Sequence, residues 1–525
     1  YSDALLPGWS HHQLPSVLKH AIHTLSFDKP TPVQDATLPI SLSSTPSRDL
    51  VAIAETGSGK TLAYAIPIIN SLLDSLKLPT SPDCPDDLPI KALILTPTRE
   101  LCLQVKSHID SFVLAMCTPT GDTGKEKPKN RSGISTIAVC GGIAAAKQRK
   151  QLERSQRLYN SERAGKGSIL VATPGRLWDL IQSWDALANG IRRRLDWLVV
   201  DEADKMVEKG HFAEVEKILK LIQRPSKTLE NSNWADDWGK DQKVVVKEDV
   251  RTMIFSATMD KHLQINLKKN WRQSRAQRDR VAATKDPLED LLERIDFRDE
   301  EPEVIDLSPK GRVAVGLKEC KIECVLKDKD LYLFHFLLRY PGRSLVFLSS
   351  ISALRRLAPI VTLLFPKSTV LTLHSAMQQR ARLKSLDKFK SSPKTILLST
   401  DVAARGLDIP LVDHVIHYQV PRTVDCYVHR SGRTARAGRD GVALVLIAPD
   451  EVKVWRGLMR SLNRVDNLPS PPIEHSISNK LKELVTLASK IDELEHRSTK
   501  KSADANWAKK TAELLDIEDD DGQYE

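Results

Sequence analysis

Two short segments carry the residues best suited to chemistry. The first is Ala54-Glu55-Thr56-Gly57-Ser58-Gly59-Lys60-Thr61, and the second, some 140 residues on, is Asp201-Glu202-Ala203-Asp204. Gly57 and Gly59 let a backbone that includes Thr56 and Ser58 curl close around phosphate oxygens. Lys60 can reach the β- and γ-phosphates, and the Thr61 hydroxyl is a Mg²⁺ ligand. A helix starting at Thr61 would aim its first N–H groups at the anion. Position 54 is Ala where the general phosphate-loop pattern has Gly, so the bare motif is not met, although its strand-loop-helix context is. Asp201 would hold Mg²⁺, usually through water, because that ion keeps much of its hydration. Glu202 would orient or deprotonate an attacking water, since phosphoryl transfer needs mainly positioning and charge neutralisation. Alone, four such residues could be acidic caps of a helix. Placed after the apolar run Trp197-Leu198-Val199-Val200, in a chain that also carries a phosphate loop, they point to a nucleoside triphosphatase that uses Mg²⁺.

These segments need strands to end at the right places. Short β-branched runs at 50–53, 92–95, 135–139, 168–171, 197–200 and 252–255 alternate with helical patterns. The pattern returns at 344–348, 369–373, 395–398, 414–418 and 442–446. Continuous apolar strands separated by helices indicate parallel sheets covered on both faces, so the expected fold is α/β with two tandem lobes. The first lobe is expected over 1–272 and the second over 313–470. A charged insertion or linker would fill 273–312, and a helical extension with an acidic tail 471–525. The insertion is either helical or partly disordered, and Leu288, Leu291, Leu292 and Ile295 have helical spacing. Polar loops are expected over 118–132 and 225–249. The second holds Trp234 and Trp238, which either pack on their own lobe or form a docking site. Leu481, Leu484, Val485, Ala488, Ile491 and Leu494 mark an amphipathic helix that either folds back on the second lobe or serves as a partner-binding arm.

Composition sets looser bounds. The 525 residues carry 78 basic and 68 acidic side chains, a net charge of +10, which favours a polyanionic partner without specifying one. Seven scattered cysteines without a Cys-x-x-Cys argue against a disulfide framework or a zinc site, and fit reduced thiols inside a cell. No apolar run is long enough to span a bilayer, so no membrane association is expected.

Further segments give the pattern a family. From about Trp9 to Ala448 the chain resembles the DEAD-box RNA helicases of superfamily 2, whose two lobes are RecA-like. Phe27 followed by Pro30-Thr31-Pro32-Val33-Gln34 resembles the Q motif. That likeness implies that Gln34 reads the adenine edge and Phe27 stacks on the ring, with Trp9 the upstream aromatic. Pro97, Thr98 and Arg99, then Gly141 and Gly142, then Thr173, Pro174, Gly175 and Arg176 resemble first-lobe contacts to RNA phosphates. Ser256-Ala257-Thr258 resembles the segment coupling hydrolysis to lobe movement. In the second lobe the likeness places Gln379, Arg382 and Thr400 on RNA, Asp408 near the ribose, and His429 among the coupling residues. It makes Arg433 and Arg436 the arginine fingers that neutralise the γ-phosphate. Two positions depart from the family, Ser26 and Ala435, each where Gly is usual.

The resemblance implies an ATP-dependent RNA helicase with a monomeric catalytic core, ATP shared between the lobes, and RNA gripped largely through its backbone. An RNA-clamping scaffold with little unwinding shares these motifs, and a DNA translocase of the superfamily is a further alternative. Ile295-Asp296-Phe297-Arg298, Val304-Ile305-Asp306-Leu307 and Gly316-Leu317-Lys318-Glu319-Cys320 resemble the fungal branch acting in large ribosomal subunit assembly. That implies pre-ribosomal RNA and pre-ribosomal particles as partners, in the nucleolus of the nucleus.

Overall fold

The structure, a computed structural model, describes residues 4–42, 48–55, 57–74, 87–118, 132–160, 167–207, 212–223, 249–257, 287–299, 302–307, 316–401, 409, 412–435, 440–462, 464, 466–473, 480–495 and 497. The chain forms two compact units that part at Lys310 and Gly311.

The first unit is built on seven strands: β1 (Leu50–Ile53), β2 (Ile90–Leu95), β3 (Ile134–Val139), β4 (Gly167–Ala172), β5 (Trp197–Asp201), β6 (Arg251–Ser256) and β7 (Glu303–Asp306). Their order is β3-β4-β2-β5-β6-β1-β7, and every neighbouring pair is parallel. Nine helices lie along the described chain before β6: α1 (Ser16–Thr24), α2 (Pro32–Ser41), α3 (Lys60–Asp74), α4 (Arg99–Met116), α5 (Ala145–Asn160), α6 (Pro174–Gln182), α7 (Asp185–Arg194), α8 (Ala203–Met206) and α9 (Phe212–Ile222). The strands are apolar on both sides because both sides are covered. Leu50, Ala52, Met253 and Phe255 face a core shared with Tyr64, Ile68, Val105 and Phe112 of α3 and α4. Val51, Ile53, Val200 and Ile254 face the opposite core, shared with Leu177, Ile181, Ile191 and Val215 of α6, α7 and α9.

Part of the stretch expected to link the lobes belongs instead to this unit. The helix Pro287–Arg294 has the anticipated spacing and buries Leu291 and Leu292, joined by Ile295 and Phe297, in the second core. Beyond it, β7 pairs in parallel with β1. Four apolar side chains set in a charged stretch give it enough surface to dock. The Asp49 carboxylate fixes the turn by accepting the backbone N–H groups of Arg298 and Asp299, as well as that of Thr252 at 2.7 Å.

The second unit has six strands: β8 (Leu317–Glu323), β9 (Ser344–Phe347), β10 (Thr369–Leu373), β11 (Thr395–Ser399), β12 (His414–His417) and β13 (Gly441–Ile447). They lie in the order β10-β11-β9-β12-β13-β8, again all parallel. The expected α/β class with two helix-covered parallel sheets is what the chain adopts. At its base Lys329 is fully buried and donates to Tyr418 O at 2.8 Å, Leu446 O at 3.0 Å and the Glu451 carboxylate at 2.5 Å. The helix 480–495 folds back on this unit, packing Leu481 and Val485 against Leu331 and Phe334 of the helix Lys329–Arg339. It leaves Leu484, Leu487, Ile491 and Leu494 exposed along another stripe.

Candidate active site

In a parallel sheet all strands end on one edge, and ligands of open α/β folds bind beyond those carboxyl ends. The first unit sorts its candidate residues along that edge. The phosphate loop leaves β1, Ser256 ends β6 and Asp201 ends β5, three neighbouring strands. Pro97 to Arg99 follow β2, Thr173 to Arg176 follow β4, and Gly141 and Gly142 follow β3, the next three. The nucleotide-type and polynucleotide-type residues thus occupy separate halves of one rim.

The loop is held by its own neighbours. Gly57 and Gly59 have φ of 83° and 94°, values that glycine reaches without strain. A Cβ at Gly59 would come within 2.7 Å of both Gln34 Nε2 and Thr31 Oγ1, so the Q-motif turn sits directly on the loop. Gln34 bridges the two: its Oε1 accepts from Thr31 N at 2.9 Å and its Nε2 donates to Gly59 O at 3.0 Å. Trp9 Nε1 donates to Phe27 O at 2.8 Å, and the Phe27 ring is partly exposed. Ser58 Oγ donates to Glu55 O at 2.7 Å, and Lys60 Nζ donates to Ala54 O at 3.0 Å. Thr61 lies in the first turn of α3.

Asp201 and Glu202 are both buried. Tyr64, one turn after Lys60 on α3, donates its hydroxyl to Asp201 Oδ2 at 3.0 Å, which ties the loop's helix to β5. Oδ1 of Asp201 is buried and has no hydrogen-bond partner among the described residues. Burial pushes the Asp201 carboxyl up to about 6, against the pull of the Lys60 ammonium. Glu202 goes the other way. Burial raises it, but the ammonium groups of Lys205, 2.8 Å away, and of Lys60 hold it below the usual carboxylate range. Glu202 also adopts a left-handed φ of 54°, a strained conformation for a residue other than glycine.

On the other half of the rim, Thr98 caps α4 by accepting Leu101 N at 3.3 Å. The Arg99 guanidinium lies against Gly141, where a Cβ would be 2.6 Å from its Nε. Gly142 has φ of 82°. Arg176 donates to Ile143 O at 2.8 Å, joining the turn after β3 to α6, while a Cβ at Gly175 would meet open space.

In the second unit, His374 follows β10 and Thr400 follows the adjacent β11, with Thr400 N donating to Leu373 O at 3.1 Å. Thr400 Oγ1 is buried without a hydrogen-bond partner among the described residues. Gln379 opens the helix Gln379–Ser391, and Arg382 is buried in its first turn. Burial, then the charges of Arg355 and Arg382, lower the His374 pKa. His429 and Arg433 are buried at and just beyond the helix Val424–Ser431. Arg430, which no motif argument singled out, is fully buried. It bonds Asp401 at 2.6 Å and Gln419 O at 2.9 Å, so it braces the turn that presents Arg433. Thr56, Thr258, Asp408 and Arg436 lie outside the described residues. So do almost all of the loops expected over 118–132 and 225–249, with Trp234 and Trp238.

Sequence reasoning also passed over Tyr64 and Lys205. Their positions held the signal, four residues after Lys60 and three after Glu202, on the same helical faces.

Comparison with known proteins gives the family and the fold. A family model described as DEAD/DEAH box helicase matches residues 31–265, and one described as Helicase conserved C-terminal domain matches 328–438. The chain is 37% identical over 532 residues to the ATP-dependent RNA helicase MAK5 of Phaeosphaeria nodorum, covering 99% of this chain and 59% of that protein. It is 34% identical over 517 residues to the ATP-dependent RNA helicase mak5 of Schizosaccharomyces pombe, covering 98% and 69%. The chain thus spans about three fifths of the length of the first relatives it matches, 59% and 62%. In fold it is similar to Mss116p bound to ssRNA and AMP-PNP, with a TM-score of 0.65 at 24% identity over 90% of this chain and 80% of that one.

Proposed function

Because the chain belongs to the DEAD/DEAH box helicase family, we propose that it is an RNA-stimulated ATPase that uses ATP hydrolysis to separate RNA strands locally. The observation that carries the reading is the pair of carboxylates at the end of β5. One is buried with an oxygen left unpartnered beside the phosphate loop, and the other is kept ionised by two lysines. Such an oxygen fits a hydrated divalent ion. Thr61 and Asp201 would hold Mg²⁺, which would supply charge neutralisation at the phosphates when bound.

The chain's own groups do the rest. Gln34 and Phe27 receive the adenine, Asp408 the ribose, and the N–H groups from Thr56 to Thr61 the phosphates. Glu202 accepts a proton from the attacking water, and the low pKa that Lys205 and Lys60 give it keeps it ready at neutral pH. Lys60, Arg433 and Arg436 balance the charge that develops on the transferred group, where such guanidinium groups can be worth roughly 10³–10⁵ in rate. Thr98, Arg99, Gly142, Thr173, Gly175 and Arg176 of the first unit, with Gln379, Arg382 and Thr400 of the second, meet RNA phosphates and 2′-hydroxyls. Binding is therefore largely independent of base sequence. Ser256, Thr258 and His429 couple phosphate loss to RNA release.

ATP turnover measured with and without RNA tests this, and an unchanged rate would remove the coupling. Strand displacement by wild type beside Glu202→Gln separates unwinding from clamping. Cellular rescue by the variant would favour a clamp. The resemblance of 295–298, 304–307 and 316–320 to the branch acting in large-subunit assembly extends the proposal to pre-ribosomal RNA in the nucleolus. Crosslinking to cellular RNA and mapping the sites checks it.

A further inference from the structure

Three side chains beside the Q-motif turn converge in a way that ATP hydrolysis does not use. His11 and His12 follow the 3-10 turn Pro7–Trp9, and Asp35 stands in the first turn of α2, next to Gln34. Both imidazoles aim Nε2 at one carboxylate oxygen, His11 from 2.5 Å and His12 from 3.1 Å of Asp35 Oδ1. The ligand atoms of the three lie within 4.8 Å of one another.

The surroundings favour a site over a chance pair of hydrogen bonds. The His12 side chain is 1% exposed, so packing fixes its ring, and its backbone is pinned by His12 N to Trp9 O at 3.1 Å. His11 and Asp35 are 54% and 52% exposed, so an ion can enter without unfolding anything. Consecutive residues seldom face one partner together, yet these two rings lie with centroids 4.0 Å apart. Ligands that share a tetrahedral zinc at bonds of about 2.0–2.2 Å stand about 3.3–3.5 Å from one another. The two imidazole–carboxylate distances, 2.5 and 3.1 Å, lie within an ångström of that.

We propose that His11, His12 and Asp35 form a binding site for a late first-row divalent cation such as Zn²⁺, with a fourth position open to water. Two imidazoles and one carboxylate select such an ion over Mg²⁺ or Ca²⁺, which prefer all-oxygen shells. A bound ion would fasten the segment around Trp9 to α2. The same segment holds Phe27 through Trp9 Nε1, so the ion would brace the turn that carries Gln34.

The test uses the whole chain, stripped with a chelator, desalted and titrated with Zn²⁺ against a competing indicator dye. Visible absorption of Co²⁺ reports the geometry. Wild type is expected to bind an equivalent that His11→Ala binds at least about a hundredfold more weakly, more than the loss of an outer-shell partner costs. His11 is exposed and lies outside the catalytic machinery, so this variant should fold and keep its ATPase rate in buffer holding Mg²⁺ and no added Zn²⁺. Asp35→Asn should weaken binding as well, and Zn²⁺ should raise the melting temperature of wild type only. Equal Zn²⁺ binding by wild type and His11→Ala, as from cysteine thiols alone, would overturn the site, and so would a Co²⁺ spectrum without imidazole-type bands. A chain that bound Zn²⁺ through His11 but no ATP would refute the ATPase reading and leave the metal site standing.

Discussion

Asp201 shows the tension between stability and chemistry in a single side chain. Its buried carboxyl has a pKa of about 6, set first by burial, whereas in the unfolded chain it would titrate near 3.8. A metal ion must compete with that proton, so affinity for Mg²⁺ with an ATP analogue is expected to fall as pH drops through about 6. Titration of a fluorescent analogue between pH 5 and 8 reads this directly. The stability sign follows from the same shift. The folded state keeps a proton that the unfolded state has lost, so this group's contribution is greatest at low pH and declines as pH rises through the folded value. Asp201→Asn is therefore expected to abolish hydrolysis yet stabilise the ligand-free protein at pH 7.5 by an amount on the order of 1–3 kcal/mol. Thermal melts of both proteins without nucleotide check it. Backbone strain at Ala435 also belongs to this scale. Its φ of 57° is left-handed, at a place where the sequence departs from a family glycine. Ala435→Gly should relieve about 1–2 kcal/mol of strain, partly offset by unfolded-chain entropy. A net gain of up to about 1 kcal/mol in urea unfolding is expected. The departure itself could be read in the sequence, but its cost needed the dihedral angle.

At the scale of elements, the strands with continuous apolar runs were legible, the edge strands β3 and β10 among them, and the edge strands β7 and β8 were not. β7 and β8 read Glu-Val-Ile-Asp and Leu-Lys-Glu-Cys-Lys-Ile-Glu, polar patterns that look like connections until a neighbouring strand pairs with them. Buried polar anchors were also hidden, because nothing local marks Asp49, Lys329 or Arg430 as interior. Asp49 collects N–H groups from β6 and from the turn before β7, two segments that meet only in the fold. Asp49→Ala would leave those donors unpaired in a dry place, so the first unit should lose about 2–4 kcal/mol. Denaturant unfolding followed by tryptophan fluorescence measures the loss. Phosphate-loop and Asp-Glu-Ala-Asp residues were readable because their chemistry demands contiguous residues. Tyr64 was harder to read, because its role depends on helical phase relative to β5, whereas Lys205 lies three residues after the Glu202 it pairs with.

For the whole molecule, the division at Lys310 makes a sharp claim about fragments. A chain ending at Lys310 keeps all seven described strands of the first sheet. One ending at residue 272 loses β7 and the four apolar residues from Leu291 to Phe297 that seal a core. The longer fragment should be soluble and melt cooperatively, while the shorter should aggregate or melt well below it, as calorimetry and gel filtration would record. One small arrangement in that unit has a wider consequence. The Lys60 ammonium already rests on the carbonyl of Ala54, within its own loop. A ligand gains from this lysine only by offering it an anion in exchange for a neutral oxygen, and a short phosphate tail cannot extend that far. The exchange would therefore reward a tail that reaches as far as the β-phosphate over a monophosphate.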